Sequence, residues 1–373
     1  MDGTLDLPPR DDDSSEVLGY HTVLPDLVHQ LIRLGWELDA LFVKDDTWGH
    51  ALRILYQINA LGGYRLVTVA GGAGAGKTTL VNNVYPTTEG WLEPNPGRGE
   101  KNPIAVVETA DCREPRGVVI RRGVRPRMVS EEYYGRERLD EWGRILRGED
   151  NRVLMIRLEV PLLFWGVDGT GFLLLPGFER LADDHWQVLM RVVLDTSPAV
   201  VLVTDAGRMA DAAQREIVDV RRAGLAGSRP VEVVVALNRS EGKSRDALDQ
   251  HVEWAEEVYG VAHQNVVPIG SESDDPAGWL SHFARAVKGI LPSATYSRQQ
   301  EVDQLRNVIT SDVAHVIDLG YSTRDRITVD RTGIQVFNNF VEVFDQQVDQ
   351  ILTTLDHVLE SASESTTPAP RRS

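Results

Sequence analysis

The chain has 373 residues and a formal net charge of −17. Its content of hydrophobic residues, 42%, is typical of a soluble globular protein. The negative charge argues against broad binding to DNA or RNA backbones, so we predict no nucleic-acid partner. No apolar run approaches the ~20 residues of a membrane-spanning helix, so we predict no integral membrane segment. The sequence does not exclude a peripheral contact with a membrane surface. The acidic N-terminus lacks the apolar region of a signal peptide, and we expect a cytoplasmic protein.

The two ends of the chain differ in pattern from its middle. Residues 1–20 and 361–373 are polar and are expected to be disordered. Residues 21–62 repeat apolar side chains at helical spacing, which predicts an N-terminal helical hairpin. The pattern of residues 293–360 predicts two further helices. In the second of these helices, residues 334–358 carry apolar side chains at alternating steps of three and four. This heptad seam packs either on the N-terminal hairpin of the same chain or on a second copy.

Residues 63–292 alternate short β-rich runs with helical stretches. Such alternation predicts an α/β three-layer fold with a mostly parallel sheet. The strand candidates are Arg65–Ala70, Ile104–Val107, Gly117–Ile120, Val153–Val160, Gly171–Leu175, Ala199–Thr204, Val231–Leu237 and Asn265–Ile269. The helix candidates lie near 77–85, 130–147, 180–194, 208–224, 245–259 and 276–290.

The first strand candidate runs directly into a phosphate-binding loop, or P-loop. The motif is G-x-x-x-x-G-K-[ST], and it stands in its required strand–loop–helix context. Its glycines let backbone N–H groups point at phosphate oxygens, and the helix N-terminus favours an anion. Lys77 is expected to reach the β- and γ-phosphates, and the Thr78 hydroxyl to ligate Mg²⁺. The predicted phosphate-binding residues are Gly71, Gly72, Ala73, Gly74, Ala75, Gly76, Lys77, Thr78 and Thr79.

Two later loops predict which base is bound. The strand that ends at Leu237 leads into Asn-Arg-Ser-Glu at 238–241, which keeps the chemical character of the N-K-x-D guanine motif of GTPases. A carboxylate there accepts hydrogen bonds from guanine N1 and N2, and adenine cannot offer both donors. The next strand ends near Ser271 in a segment similar to the S-A-x loop, whose backbone amides contact the guanine carbonyl. The predicted base-binding residues are Asn238, Arg239, Glu241 and Ser271, and the predicted ligands are GTP or GDP with Mg²⁺.

Three further motifs carry a family resemblance. They are Val-Pro at 160–161, Leu-Leu-Leu-Pro-Gly at 173–177, and Ser-Pro-Ala-Val-Val-Leu-Val-Thr-Asp-Ala at 197–206. With these motifs, residues 64–291 resemble the dynamin-like branch of large GTPases, and the flanking helices match the family's neck bundle. The resemblance implies a P-loop GTPase domain. The heptad seam leads us to expect a homodimer or a partner GTPase, bound through the GTPase domain or through the seam at 334–358.

The departures from the family pattern concern hydrolysis. In dynamin-like proteins the aspartate of D-T-P-G holds Mg²⁺ through water, whereas this chain has Leu174 and Leu175 before Pro-Gly. The stretch 98–103 lacks the threonine that binds Mg²⁺ in the family, and Thr87 and Thr88 lie upstream. Losing such ligands typically costs ~10²–10⁴ in rate. We therefore assign no catalytic residue and expect guanine-nucleotide binding with weak or absent hydrolysis, in a regulatory or assembly role.

Two other functions remain open at this point. The first is an active P-loop ATPase or kinase, for which Asp205 is the best acid at the end of a strand. The second is an interaction protein that needs no nucleotide, in which Lys77 is vestigial. Tighter binding of ATP than of GTP would favour the first, and no thermal shift with any nucleotide would favour the second.

Overall fold

The computed structural model divides into two compact units, 1–48 with 309–373 and 49–308. It describes residues 64–92, 102–122, 129–148, 150, 152–177, 193–194, 199–205, 207, 209, 215, 218, 233–270, 276–290, 346 and 353. The predicted N-terminal hairpin and both predicted disordered ends lie outside the described residues. So does the heptad seam apart from two single positions.

One sheet organises the described part of the chain, in the strand order β4-β3-β5-β2-β6-β1-β7-β8-β9. The strands are β1 (Arg65–Ala70), β2 (Ile104–Glu108), β3 (Arg116–Arg122), β4 (Val129–Tyr134), β5 (Val153–Val160), β6 (Thr170–Leu174), β7 (Val200–Asp205), β8 (Val233–Asn238) and β9 (Val266–Pro268). From β6 to β9 all neighbours are parallel, and β2 is antiparallel to β6. The predicted α/β fold with a mostly parallel sheet is confirmed.

Four helices among the described residues cover the two faces of the sheet. They are α1 (Lys77–Val84), α2 (Leu139–Leu146), α3 (Arg245–Tyr259) and α4 (Pro276–Ile290). Side chains of α1, α2 and α4 join one buried apolar cluster, and side chains of α3 join the other. The central strands are apolar throughout because both of their faces are covered. None of the described helices is long and apolar enough to span a lipid bilayer.

One predicted helix is wrong in its first half. Residues 130–147 were expected to be helical throughout, but Val129–Tyr134 forms the edge strand β4, and α2 begins only at Leu139. Glu132 and Tyr134 lie on one side of β4 and share a hydrogen-bonded cluster with Arg121 of β3. Pairing with β3 and this cross-strand contact outweigh the weak helical preference of glutamate.

Gly117 of β3 makes room for the indole of Trp142, which packs directly on the sheet. A Cβ at position 117 would overlap the indole ring. Trp142 is fully buried and donates its Nε1–H to the Trp91 carbonyl oxygen over 2.8 Å. We therefore expect Gly117→Ala to lower the free energy of unfolding by about 1–3 kcal/mol through overpacking, measured by urea denaturation.

Gly143 on α2 provides the matched control for this substitution. A Cβ there would meet only the end of the Arg147 side chain, 3.3 Å away. Since alanine is a better helix former than glycine, Gly143→Ala should be neutral or stabilising by up to ~1 kcal/mol. Equal destabilisation by the two variants would contradict the role of Gly117.

Candidate nucleotide-binding site

The backbone of the P-loop requires glycine at three positions. β1 is buried from Leu66 onward and ends at Ala70, where the loop begins. Gly71, Gly74 and Gly76 have φ angles of 148°, 69° and 100°, values that side-chain-bearing residues rarely adopt. At Gly71 there is a second reason, because a Cβ would overlap the Val203 carbonyl oxygen of β7. The loop conformation is therefore set by its glycines and by the neighbouring strand.

The start of α1 is suited to an anion. No side chain of the described residues caps this helix at Gly76, and its first turn holds no acid. Lys77 is almost fully buried, and its Nζ donates hydrogen bonds to the carbonyl oxygens of Gly71 and Gly72, each over 2.9 Å. An ammonium group on the loop and a helix N-terminus together favour phosphate oxygens. The lysine ammonium group and the uncapped helix N-terminus, both predicted for phosphate binding, thus occur on one short segment.

The predicted base-binding segment lies against the P-loop. Asn238, at the end of β8, donates its amide N–H to the Ala75 carbonyl oxygen over 2.7 Å, a contact between residues 163 positions apart. A Cβ on Gly76 would overlap the same Asn238 amide. A Cβ on Gly270 would lie only 2.6 Å from Glu241 Oε1, so the loop after β9 also reaches this corner. Phosphate and base segments are therefore neighbours, as the sequence predicts for a nucleotide site.

Arg239 and Asp205 join the ends of two adjacent strands. Asp205 ends β7 and is buried, and its Oδ1 accepts a hydrogen bond from the Gly207 N–H over 2.9 Å. A guanidinium nitrogen of Arg239 lies 3.5 Å from the other carboxylate oxygen. Arg239 has a positive φ of 59°, and Ser240 donates its hydroxyl to the Leu237 carbonyl oxygen. These contacts fix the turn that carries Glu241.

The remaining predicted residues fall in different places. Thr78 is buried in the first turn of α1, and Thr79 is exposed there. Ser271 lies outside the described residues, as does most of the stretch 98–103. The Thr88 hydroxyl lies 2.7 Å from both Asn82 Oδ1 and the Tyr85 carbonyl oxygen, in a buried turn after α1. Thr88 is therefore placed as a structural residue and not as a metal ligand.

The described residues around the loop do not fit a firmly held Mg²⁺. Leu174 pairs with Val69 at the end of β6 and is 1% exposed, in the position where dynamin-like proteins have their metal-linked acid. The segment after it reaches the P-loop, because a Cβ on Gly177 would lie 2.7 Å from the Ala73 nitrogen. The part of the chain that the structure describes holds no group of three or more His, Cys, Asp or Glu that suits a metal ion. Among the described residues, Thr78 is the one that matches the family's ligands.

A buried carboxylate at the opposite end of the strands from the P-loop was not singled out by the sequence. Glu108 ends β2 and is fully buried. Its Oε1 accepts hydrogen bonds from the N–H groups of Phe164 and Trp165, over 2.6 and 2.8 Å, and from the Tyr85 hydroxyl over 3.0 Å. Its Oε2 accepts one from the Gly166 N–H over 2.7 Å. No local signal marks Glu108, because its donors lie 23 to 58 positions away.

No family model and no curated protein matches this chain. Among solved structures, two of an oligomerised bacterial dynamin pair, described as a mechanism for long-range sensing and tethering of membranes, are similar to this chain. They match 92% of it, with TM-scores of 0.42 and 0.40 and identities of 11% and 10%. The chain covers 53% and 65% of those chains, less than two thirds of their length.

Proposed function

We propose that this chain is a dynamin-like protein of the cytoplasm that binds GTP or GDP at Gly71–Thr78 and hydrolyses GTP slowly or not at all. Its role in this proposal is regulatory or in assembly, as a homodimer or as the partner of another GTPase. The hydrogen bond from Asn238 to Ala75 is the main support, because it joins the guanine-type motif to the phosphate loop.

The preference for guanine rests on Glu241. An ionised carboxylate accepts hydrogen bonds only, and guanine presents two donors on the edge that such a group would meet. Adenine presents the N1 lone pair and an apolar C2–H there, so it offers neither of the two N–H donors, and one carboxylate oxygen would face a lone pair. Glu241 lies next to Gly270, at the corner shared by the base-binding loops. Each hydrogen bond to a charged group is worth about 1.5–3 kcal/mol, which is enough for clear discrimination.

The proposed weakness in hydrolysis rests on Leu174 and Thr88. Lys77 and the N-terminus of α1 would hold the phosphates. Mg²⁺, when bound, would neutralise charge that develops on them during transfer, and Thr78 would be its one matching ligand among the described residues. Leu174 cannot orient a metal-bound water, and the Thr88 hydroxyl is engaged with Asn82 and Tyr85. Binding is thus separated from catalysis.

Fluorescent GDP and ADP titrations of the full chain test this proposal. We expect GDP to bind more tightly than ADP and Lys77→Ala to weaken GDP binding about 100-fold, because a charged phosphate partner is lost. Glu241→Gln, a nearly isosteric change, should reduce the preference for GDP about 10-fold or more. GTP turnover should be barely above the Lys77→Ala background.

The same measurements identify the alternatives. Tighter binding of ADP and ATP than of GDP and GTP would favour the ATPase or kinase. No binding and no thermal shift with any nucleotide would favour an interaction protein that needs none. Rapid GTP turnover that Lys77→Ala abolishes would contradict weak hydrolysis while leaving guanine-nucleotide binding in place.

A further inference from the structure

The position of the missing acid is fixed by the register of the sheet. β6 lies next to β1, Leu174 pairs with Val69, and the Leu175 N–H donates to the Val69 carbonyl oxygen over 3.0 Å. From there the chain reaches the P-loop, where Gly177 packs on Ala73. The segment 174–177 therefore passes the phosphate loop with Leu-Leu-Pro-Gly, none of which carries a carboxylate, hydroxyl or amide side chain.

The Leu174 side chain belongs to the core. It joins the apolar cluster that also contains Val69 of β1 and Leu80 and Val81 of α1. In this cluster the Leu174 side chain packs beneath α1. It has no polar atom that could hydrogen-bond to a water bound to a cation. Position 174, where dynamin-like proteins have a metal-linked acid, is thus a packing position in this chain.

Mg²⁺ needs more from a protein than this site offers. It demands octahedral oxygen ligands, keeps several waters, and is usually held by one or two carboxylates together with substrate phosphates. Among the described residues Thr78 suits this purpose, and Thr88 is committed to the turn after α1. The Asp205 carboxylate at the end of β7 is engaged by the Gly207 N–H and by the Arg239 guanidinium. The phosphate charge is instead met by Lys77 and by the N-terminus of α1, neither of which requires a metal.

We infer that this site binds guanine nucleotide almost independently of divalent cations. The inference rests on the proposed function, and it concerns how the phosphates are held. Lys77 and the backbone N–H groups of Gly71–Thr78 supply nearly all of the phosphate affinity. A magnesium ion carried in on the nucleotide gains little from Thr78 alone.

Fluorescent GDP titrated into the full chain tests this inference, with millimolar Mg²⁺ in one series and EDTA in the other. We expect dissociation constants that agree within about threefold. A Kd more than tenfold weaker in EDTA, equivalent to about 1.4 kcal/mol, would overturn the inference and leave the proposed function standing. Loss of GDP binding in both series would instead overturn the proposed function, and this inference with it.

Variants at Thr78 give a second, independent reading. Thr78→Ala removes the hydroxyl, and Thr78→Ser keeps it as the matched control. If no metal is held there, Thr78→Ala should change the Kd for GDP by the same factor in Mg²⁺ and in EDTA. The coupling free energy between the Thr78 hydroxyl and Mg²⁺ would then be near zero. A loss at least fivefold larger in Mg²⁺ than in EDTA, with Thr78→Ser unaffected, would show that Thr78 holds a metal and would overturn the inference.

Discussion

Replacement of Glu108 by glutamine is expected to lower the free energy of unfolding by about 2–4 kcal/mol. The carboxylate accepts three backbone hydrogen bonds and one from a tyrosine hydroxyl, in a fully buried position. Glutamine has nearly the same shape, but its NH₂ group is a donor. It would face either the Gly166 N–H or the donors around Oε1, and a buried donor would lose its partner. Urea denaturation followed by tryptophan fluorescence measures the change.

Glu114→Gln is the control, because it makes the same chemical change on an exposed side chain. We expect it to stay within ~0.5 kcal/mol of the parent protein. Tyr85→Phe should cost about 1 kcal/mol, since it removes a single donor to Glu108. Similar unfolding curves for Glu108→Gln and Glu114→Gln would contradict the role given to the buried carboxylate.

Glu108 also connects the end of α1 to the loop between β5 and β6. Tyr85 follows α1 directly, and its hydroxyl donates to Glu108. Burial, and next the nearby Glu108 carboxylate, raise the pKa of Tyr85 well above its ordinary value, so the hydroxyl keeps its proton and remains a donor. The end of α1 is thereby tied to the loop that contains Phe164, Trp165 and Gly166.

Replacement of Gly71 by alanine is expected to destabilise the unit 49–308 by about 2–6 kcal/mol. Two penalties combine at this position. Its φ of 148° is strained for alanine, which costs about 1–3 kcal/mol. The new Cβ would also overlap the Val203 carbonyl oxygen, and the backbone of a central strand cannot move aside without further cost of about 1–3 kcal/mol. Urea denaturation checks the magnitude, and GDP binding should be lost together with the loop conformation.

Gly74 of the same loop separates these two penalties. It has a φ of 69°, but a Cβ there would meet no atom within 4 Å. Gly74→Ala should therefore cost only the backbone term, about 1–2 kcal/mol. Equal costs for Gly71→Ala and Gly74→Ala would show that β7 does not restrict the loop.

The sequence predicted those parts of the molecule that depend on local pattern. The eight strand candidates in the chain's middle all occur, because apolar runs and alternation reflect burial on a sheet. The P-loop motif was also recognisable in the sequence. A backbone with positive φ angles requires glycine, so the glycine spacing is visible without knowing where the loop lies in the fold. The strand β4 was missed because Glu131 and Glu132 favour a helix locally and their strand partner lies elsewhere in the chain.

Tertiary structure decided the contacts between residues that lie far apart in the chain. The contact of Asn238 with Ala75, the enclosure of Glu108 and the engagement of Thr88 arise only when the strands are in order. The sequence by itself determined that the chain carries the P-loop motif, a segment similar to the guanine motif, and Leu174 where dynamin-like proteins have an acid. Only the packed sheet showed that the two motifs meet and that Leu174 is core. Local pattern fixes backbone geometry, whereas pairing between distant strands decides which side chains become neighbours.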